Sequence, residues 1–511
     1  MAQDPQTEAE AFLKIADQFR LGELPTEQSH PDTWNLSEIA QHDLKRGFLL
    51  FQALDVAALR VVESQVGRIR ELARAIEAVF LSGGRVFLCG CGATGRLALT
   101  VEALCREGMV EESFHDAVIG FMAGGDAALI RSLEGFEDRE DFGCRQLEEL
   151  GFRDGDLMVG ITEGGETPFV IAATVRAAEL SSVAPWFCYC NSDDVLCDVA
   201  DRSKSILLDD RVERLPLITG PMALAGSTRL QATTVQLTAM CLALAHHDQP
   251  GFIELAAGEL TYFVESLDYT AMAPFTETEQ AIYAEGGNVI YETADYGLTV
   301  LTDTTERAPT FSLHPFENIQ SPEHPASLSY LSLPNSAAPG DAWRAMLGRA
   351  PRTLEWQGVK DRAGLHYLMG YDISVHVRQH RALKTGQEAE AFRVFSEDQG
   401  FTLQLGKHRQ HFGVSEAPWV ENVMLKVLLN AHSTLLMGRL ERYEGNLMTW
   451  VRPSNNKLID RAIRYIRQLA ERRGMTVPSY EVTCHALFRV RAIMAPDASV
   501  VLKTLEALEG A

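Results

Sequence analysis

Residues 85–97 read Arg-Val-Phe-Leu-Cys-Gly-Cys-Gly-Ala-Thr-Gly-Arg-Leu, and they carry the strongest signal of local structure in the chain. The apolar residues 86–88 predict a short buried strand, the glycines after them a tight turn, and the apolar segment from Leu97 a helix. In such a unit, backbone N–H groups and a hydroxyl can bind an anion at the positive end of the helix. The stretch therefore predicts either a phosphate-binding α/β unit or, with no ligand, a tight turn made by its glycines.

The glycines at 90, 92 and 95 match the spacing of a dinucleotide-binding turn, but the rest of that pattern is missing. Asp116 is the nearest acidic residue at a suitable distance, and no strand leads into it. A Walker A loop is excluded because no Gly-Lys-Ser/Thr follows the turn. The turn therefore predicts a phosphate ligand without a nucleotide cofactor.

Length, charge and cysteine usage limit the class of protein. At 511 residues the chain exceeds the size of one hydrophobic core, and its formal net charge of −24 disfavours binding to nucleic acid or an anionic membrane. The first residues lack the features of a secretory signal, no apolar run is long enough to span a bilayer, and the nine cysteines show no CxxC zinc spacing. We expect a cytoplasmic protein with reduced, buried thiols and no bound metal.

Strand-like and helix-like segments alternate after an amphipathic helix predicted over residues 56–80, which indicates a parallel sheet covered by helices on both faces. A second polar loop, residues 162–168, follows a predicted strand at 156–161. Both loops are expected at the carboxyl edge of the sheet, where ligands bind in such folds. Further strands are predicted at 115–121, 183–190 and 205–208.

The pattern repeats later in the chain. Residues 95–102 can be aligned with 297–303, each just after a predicted strand and turn. A second aligned pair consists of the apolar helices predicted at 227–247 and 417–438. The repeat predicts two tandem α/β domains. In the second copy, residues 292–297 replace the glycine-rich turn, and Glu292 and Asp295 there would repel phosphate, so we expect one phosphate site, in the first copy.

Several segments, taken together with the turn, resemble one family. In chain order they are Leu-Pro-Thr-Glu-Gln-Ser-His-Pro (24–31), Gly-Cys-Gly-Ala-Thr-Gly-Arg (90–96), Ala-Gly-Gly-Asp (123–126), Leu-Glu-Gly-Phe-Glu-Asp (133–138), Val-Gly-Ile-Thr-Glu-Gly-Gly-Glu-Thr-Pro-Phe (159–169), Leu-Ala-Gly-Ser-Thr-Arg-Leu (224–230), Gly-Asn-Leu-Met (445–448) and Asn-Lys-Leu (456–458). They resemble the sugar isomerase (SIS) domain family, in the branch that contains N-acetylmuramic acid 6-phosphate etherase and the glucokinase regulatory protein.

The resemblance implies an α/β protein with two tandem SIS domains, each a doubly wound parallel sheet flanked by helices, and a helical C-terminal region. The expected divisions are an N-terminal arm at 1–45, a first SIS domain with the sugar-phosphate site at 46–270, a second SIS domain with a degenerate turn at 271–450, and a helical C-terminal lid at 451–511.

The resemblance also implies which residues bind the sugar phosphate. These are Gly92, Thr94, Gly95 and Arg96 in the first turn, Thr162, Gly164, Glu166 and Thr167 in the second loop, and Glu134, Ser227 and Lys457 elsewhere. Structural alternatives remain, because Thr94 and Ser227 stand where helix caps are common and a lone lysine such as Lys457 is usually solvated. Glu166 stands where the etherases tend to have arginine, so it either faces solvent or weakens phosphate binding.

Two carboxylates decide whether etherase chemistry is possible. Cleavage of a lactyl ether needs a base to remove a proton and an acid to protonate the departing oxygen. Glu137 matches one family glutamate, but Leu104 stands at the position of the other. The second copy keeps that glutamate as Glu306, which would complete the catalytic pair if it reached the first site across the domain interface. Glu134, Glu137 and Glu306 would serve equally well as acceptors for sugar hydroxyls.

Two functions therefore stay open. Tandem domains, one intact turn and Leu104 favour a sugar-phosphate-binding regulatory protein, similar to the glucokinase regulatory protein, that binds a hexose phosphate such as fructose 6-phosphate at the interface of the SIS domains. Glu137 with Glu306 favours an enzyme, either an etherase-like lyase or a sugar-phosphate isomerase. Both belong to carbohydrate metabolism and neither needs a cofactor. A sugar kinase is a further possible partner of the first.

Overall fold

The computed structural model describes residues 4–19, 21–131, 133, 135–321, 323–413, 417–495 and 498–510. These residues form two five-stranded sheets with helices packed around them. None of the helices in these ranges combines the length and the apolar character that a membrane span requires.

The first sheet is parallel throughout. Its strands are β1 (Val86–Gly90), β2 (Val118–Met122), β3 (Leu157–Ile161), β4 (Trp186–Tyr189) and β5 (Glu213–Pro216). They lie in the order β2-β1-β3-β4-β5, and every neighbouring pair is parallel. The first four strands are buried along their whole length, as expected when helices cover both faces. The doubly wound parallel sheet predicted from the sequence is confirmed here.

The second sheet repeats this order but is mixed. Its strands are β6 (Val289–Glu292), β7 (Ser329–Ser332), β8 (Glu390–Ser396), β9 (Gly400–Leu405) and β10 (His408–Gly413), in the order β7-β6-β8-β9-β10. β6 pairs in parallel with β7 and β8, whereas β8, β9 and β10 form an antiparallel meander. The connections at 397–399 and 406–407 are too short for the crossover that a parallel pair needs. The expected second parallel sheet is therefore only half parallel.

The helices flank these sheets. In chain order they are α1 (Pro5–Leu13), α2 (Leu36–His42), α3 (Leu44–Ser64), α4 (Val66–Leu81), α5 (Ala93–Leu104), α6 (Glu140–Glu149), α7 (Pro168–Leu180), α8 (Asp193–Val199), α9 (Asp201–Leu207), α10 (Gln231–Ala245), α11 (Ile253–Ser266), α12 (Ala273–Ala284), α13 (Gly297–Phe311), α14 (Pro339–Leu347), α15 (Lys360–Ala363), α16 (Leu365–Met369), α17 (Val377–Thr385), α18 (Pro418–Arg439), α19 (Asn456–Arg472), α20 (Tyr480–Ile493) and α21 (Val500–Glu509).

We call the parts built on the two sheets the first and the second α/β unit. α5 follows β1 in the first unit, as α13 follows β6 in the second, so the aligned segments occupy equivalent places. α5 packs against α13, and α10 packs against α18. The two halves of the sequence repeat therefore meet along equivalent helices.

The N-terminal arm and the C-terminal helices pack on each other. α1 lies against α20, and the short turn Leu21–Glu23 lies against α19. Glu27 in the arm accepts a hydrogen bond from the Arg461 guanidinium of α19 (Nε–Oε2 2.9 Å). The side chain of Asn455 accepts a hydrogen bond from the backbone N–H of Leu458 and so caps the start of α19. These contacts fix α19 beside the first unit.

Three predictions of local structure differ from what the structure shows. Residues 205–208, predicted as a strand, lie at the end of α9, where Ser203, Ile206 and Leu207 are buried at helical spacing. A short apolar run does not distinguish the two structures. The single helix predicted over 56–80 is divided into α3 and α4 by Gln65, whose backbone is not helical. The strand predicted from residue 115 also begins later, at Val118.

Candidate functional site

A cavity of about 230 Å³ lies at the carboxyl edge of the first sheet, between the two α/β units. Its walls are the chain segments after β1, β2 and β3, the turn before α10, the C-terminal part of α13, and residues from 448 to 461. Parallel strands deliver their following loops to one edge of the sheet, which explains why three of these segments meet here. The second unit contributes through α13, so the cavity depends on both units.

The glycine-rich turn after β1 forms one wall. Gly92 precedes α5 with φ 58°, a backbone conformation that favours glycine. A Cβ atom on Gly90 would lie 2.3 Å from the carbonyl carbon of Thr94, so only glycine lets the start of α5 approach β1 this closely. The Thr94 hydroxyl accepts a hydrogen bond from the Cys91 N–H (3.0 Å) and donates to the Cys91 carbonyl (2.9 Å). This side chain therefore holds the turn and faces its backbone.

Three helices point their N-termini into the cavity. The residues that immediately precede α5, α7 and α19 are Gly92, Thr167 and Asn455, and all three line the cavity wall. The first N–H groups of a helix have no partner inside the helix, and the helix dipole adds positive potential at this end. Such convergence favours an anionic group such as phosphate.

Two glutamates predicted from opposite halves of the chain line this one cavity. Glu137 lies just before α6 and accepts a hydrogen bond from the Asn455 side chain (3.3 Å). Glu306 lies on α13 and accepts from the fully buried Arg96 guanidinium of α5. Leu104, which stands at the family's glutamate position in the first copy, is buried and does not line the cavity. The second unit thus supplies the carboxylate that the first unit lacks.

A third carboxyl group, Glu163, also lines the cavity. Its side chain follows β3 and accepts a hydrogen bond from the Thr228 hydroxyl (3.2 Å). Burial, with a smaller contribution from the negative charge of Glu306, raises the pKa of Glu163 to about 7, although Lys457 opposes this shift. This group therefore changes its charge near neutral pH.

The cations around the cavity are already paired. Lys457 Nζ lies 2.9 Å from a Glu166 oxygen, and the second Glu166 oxygen accepts from Arg202. Burial alone would raise the pKa of Glu166, but Lys457 and Arg202 lower it to about 2. Glu166 therefore does not face solvent, which was one of the two expectations for it. Arg461 is paired with Glu27, as described above.

Arg229, in the turn before α10, lines the cavity and joins the two units. Its guanidinium lies 3.0 Å from Asp303 of α13 and also donates to Thr434 of α18 (3.0 Å). The neighbouring Ser227 lines the cavity with its hydroxyl oxygen buried and without a hydrogen-bond partner among the described residues. A ligand oxygen in the cavity would satisfy this hydroxyl.

The predicted site residues fall into two groups. Six of them line the cavity: Gly92, Glu137, Thr167, Ser227, Glu306 and Lys457. The others support its walls, Thr94 and Arg96 through the hydrogen bonds described above and Gly95 through close packing on Met122. The Thr162 hydroxyl lies 3.0 Å from the Thr167 hydroxyl, and the Gly164 carbonyl accepts a hydrogen bond from the Asn191 side chain. Glu166 accepts a hydrogen bond from Lys457. Glu134 lies outside the described residues.

Sequence reasoning missed six polar residues of the cavity, namely Glu163, Thr228, Arg229, Thr310, Asn455 and Arg461. Arg461 was detectable, since it stands one helical turn after Lys457 on the same predicted helix. No sequence pattern indicated Glu163 or Arg229, because each is a single charged residue close to a hydroxyl residue, Thr162 or Ser227, that was itself predicted to bind the ligand. Within the ranges that the structure describes, no three His, Cys, Asp or Glu side chains are grouped so as to hold a metal ion.

Comparison with known protein families gives one match, the glucokinase regulatory protein N-terminal SIS domain, over residues 67–178. Among curated relatives, N-acetylmuramic acid 6-phosphate etherase of Synechococcus sp. (strain CC9902) is 35% identical over 221 residues, covering 43% of this chain and 64% of the relative. The same-named protein of Prochlorococcus marinus (strain MIT 9313) is 33% identical over 230 residues, covering 45% of this chain and 67% of the relative. That of Salmonella agona (strain SL483) is 32% identical over 221 residues, covering 43% and 68%.

The matched region spans slightly less than two thirds of the Synechococcus relative, and the same share, 64%, of the same-named protein of Prochlorococcus marinus (strain MIT 9303). Among solved structures, tagatose-6-phosphate ketose/aldose isomerase from Escherichia coli matches with a TM-score of 0.41 at 10% identity, over 76% of this chain and 92% of that one. Phosphoheptose isomerase from Neisseria gonorrhoeae matches with a TM-score of 0.28 at 20% identity, over 38% of this chain and 93% of that one.

Proposed function

Because this chain belongs to the SIS-domain family, in the branch of the N-acetylmuramic acid 6-phosphate etherases and the glucokinase regulatory protein, we propose that it is an etherase-like lyase acting on a sugar phosphate. One observation carries this proposal: Glu137 and Glu306 line the same cavity. The relatives described above, which are N-acetylmuramic acid 6-phosphate etherases, support it. We propose N-acetylmuramic acid 6-phosphate as the substrate.

The two carboxyl groups divide the proton transfers of an elimination. One takes a proton from the carbon next to the ether-bearing carbon, and the released electron pair forms a carbon–carbon double bond. The other protonates the ether oxygen as its bond to the sugar breaks and lactate departs. Addition of one water across the double bond completes the cleavage. Neither transfer requires a metal or an organic cofactor.

The remaining polar groups of the cavity suit the phosphate end of this substrate. The helix N-terminus at Gly92 supplies backbone donors, and Ser227 supplies a hydroxyl that lacks a partner among the described residues. Lys457 adds a positive charge at the rim of the same cavity. We also propose that the two SIS domains have the limits expected from the sequence, 46–270 and 271–450, since α11 ends at Ser266 and α12 begins at Ala273.

The direct test is to incubate the purified chain with N-acetylmuramic acid 6-phosphate and to measure free lactate over time. We expect lactate release that saturates with substrate. Tight binding of the substrate with no lactate released would overturn the lyase proposal and favour the second candidate below.

That second candidate is a regulatory protein that binds a hexose phosphate, and the family match to the glucokinase regulatory protein favours it.

Under either function Lys457→Ala should weaken fructose 6-phosphate binding by about 10- to 100-fold, since one charge-assisted hydrogen bond contributes about 1.5–3 kcal/mol. Titration calorimetry measures this, with Lys503→Ala, on the exposed surface of α21, as the matched control. Equal affinities of the two variants would remove Lys457 from the site.

A further inference from the structure

The charged side chains of the cavity lining affect how it can bind an anionic ligand. Its lining holds three carboxyl groups, Glu137, Glu163 and Glu306, and three cationic side chains, Arg229, Lys457 and Arg461. Each of the three cations forms an ion pair with a carboxylate outside the lining: Asp303, Glu166 and Glu27, respectively. Glu306 among these carboxyl groups is paired with Arg96, whereas an ionised Glu163 would be a negative charge without an ion-pair partner among the described residues, beside an entering phosphate.

Glu163 differs from the other two lining carboxyl groups in its partners. Glu306 accepts from the Arg96 guanidinium, which stabilises its charged form. Glu137 accepts from the amide of Asn455. Glu163 accepts from the neutral hydroxyl of Thr228 at Oε1, and no described cation forms an ion pair with it. Glu163 is therefore a buried carboxyl group of the lining whose hydrogen bond comes from a neutral side chain.

The position of Glu163 places it against the expected phosphate. It lies in the loop between β3 and α7, between Thr162 and Thr167, and the N-terminus of α7 opens into the same cavity. The positive end of the α7 dipole attracts an anion to this loop, whereas an ionised carboxylate in the loop would repel it. A protonated carboxyl group removes this repulsion and adds a donor, since Oε1 keeps its bond from Thr228 while Oε2 carries a proton.

We propose that Glu163 binds the phosphate group of the ligand as a neutral carboxylic acid, so that the chain takes up a proton when it binds a sugar phosphate near neutral pH. This inference rests on the proposed function, because it assumes a phosphate ligand in this cavity. It makes Glu163 a residue that couples affinity to pH. It does not require that Glu163 take part in bond cleavage.

The groups that face Glu163 are consistent with this coupling. Glu306 on α13 raises its pKa, and Lys457 on α19 lowers it. The thiols of Cys91, in the turn after β1, and Cys190, after β4, stay protonated because burial raises the pKa of each. Burial lowers the pKa of Lys426, on α18, but this side chain does not line the cavity, and its ammonium donates to the Thr234 hydroxyl and to the carbonyl oxygen of Arg229.

Titration calorimetry with sorbitol 6-phosphate tests the proposal, because this probe has neither a carbonyl nor a lactyl ether and so cannot react. Repeating the titration at pH 8 in buffers of different ionisation enthalpy gives the number of protons taken up. The phosphate is then almost fully dianionic, with its second pKa near 6. With the pKa of Glu163 at about 7, we expect uptake of about 0.9 proton and an affinity that falls about tenfold per pH unit above pH 7.

Glu163→Gln should bind with almost no proton uptake, and its affinity should stay nearly constant above pH 7. The matched control is Glu107→Gln: burial also raises the pKa of Glu107 to about 7, but this group does not line the cavity. This control should keep the wild-type uptake. Thr228→Val removes the donor that stabilises ionised Glu163, so it should move the fall in affinity to higher pH.

Absence of proton uptake by the wild-type chain, or unchanged uptake in Glu163→Gln, would overturn the role of Glu163 and leave the proposed function standing. No binding of the probe or of N-acetylmuramic acid 6-phosphate at any pH from 6 to 8 would instead overturn the proposed function, and this inference with it. The wild-type measurement decides the question even if Glu163→Gln does not fold.

Discussion

Glu306→Gln is expected to lower the rate of lactate release by about 10²- to 10⁴-fold, the usual contribution of a positioned acid or base. Glutamine has the same shape and can still accept a hydrogen bond from Arg96, so α13 should still pack on α5, although loss of the buried ion pair lowers the stability of the chain. It cannot accept or donate the proton that the elimination requires. Initial rates of lactate release, together with an unchanged circular dichroism spectrum, measure the effect.

Glu137→Gln should reduce the rate to a similar degree, and the double variant should be little worse than either single variant, because the two groups act as one unit. The control is Glu259→Gln, on the exposed side of α11, which should release lactate at the wild-type rate. Full activity in Glu306→Gln would show that the second unit takes no part in the chemistry.

Gly90→Ala is expected to destabilise the chain by about 1–3 kcal/mol or more, the range seen when atoms are forced into a packed site. Its new Cβ atom would lie 2.3 Å from the carbonyl carbon and 2.4 Å from the carbonyl oxygen of Thr94. Both are backbone atoms, so the start of α5 must move away from β1. The melting temperature followed by circular dichroism measures the loss, and sugar-phosphate binding should be lost as well because the turn is displaced.

Gly67→Ala provides the matched comparison. Gly67 lies on the exposed face of α4 with nothing within 4 Å of a new Cβ atom, so alanine there should stabilise the helix by about 0.5–1 kcal/mol. An unchanged melting temperature in Gly90→Ala would show that α5 can move at little cost and that the close approach at Gly90 is not required.

Local signals in the sequence predicted most of the fold. The glycine-rich turn after β1 and the alternation of apolar runs were sufficient to predict the first parallel sheet. The repeat around Gly297 predicted the second unit. The antiparallel end of the second sheet was not predicted, since strands β8 to β10 carry no signal for direction except their short connections. The strand expected at 205–208 failed for a related reason, because four apolar or small residues fit a helix equally well.

The candidate site was harder to predict because it is assembled from distant parts of the chain. Motif matching found Glu137 and Glu306, but only the packing of α13 on α5 brings them to one cavity. Thr94 carries the right hydroxyl in the right turn, yet this hydroxyl bonds to the backbone of Cys91. The pairing of Glu166 with Lys457 depends on where α19 packs, which no local pattern specifies.

The two units are joined by buried ion pairs, and these affect whether either unit can be stable alone. The pairs are Arg96 with Glu306 and Arg229 with Asp303. All four side chains are almost entirely removed from water. Separating the two units would part both arginines from their carboxylates and expose the packed faces of α5 and α13 to water. The two units should therefore melt in a single transition, and a fragment limited to the first of them would be a poor substitute for the whole chain.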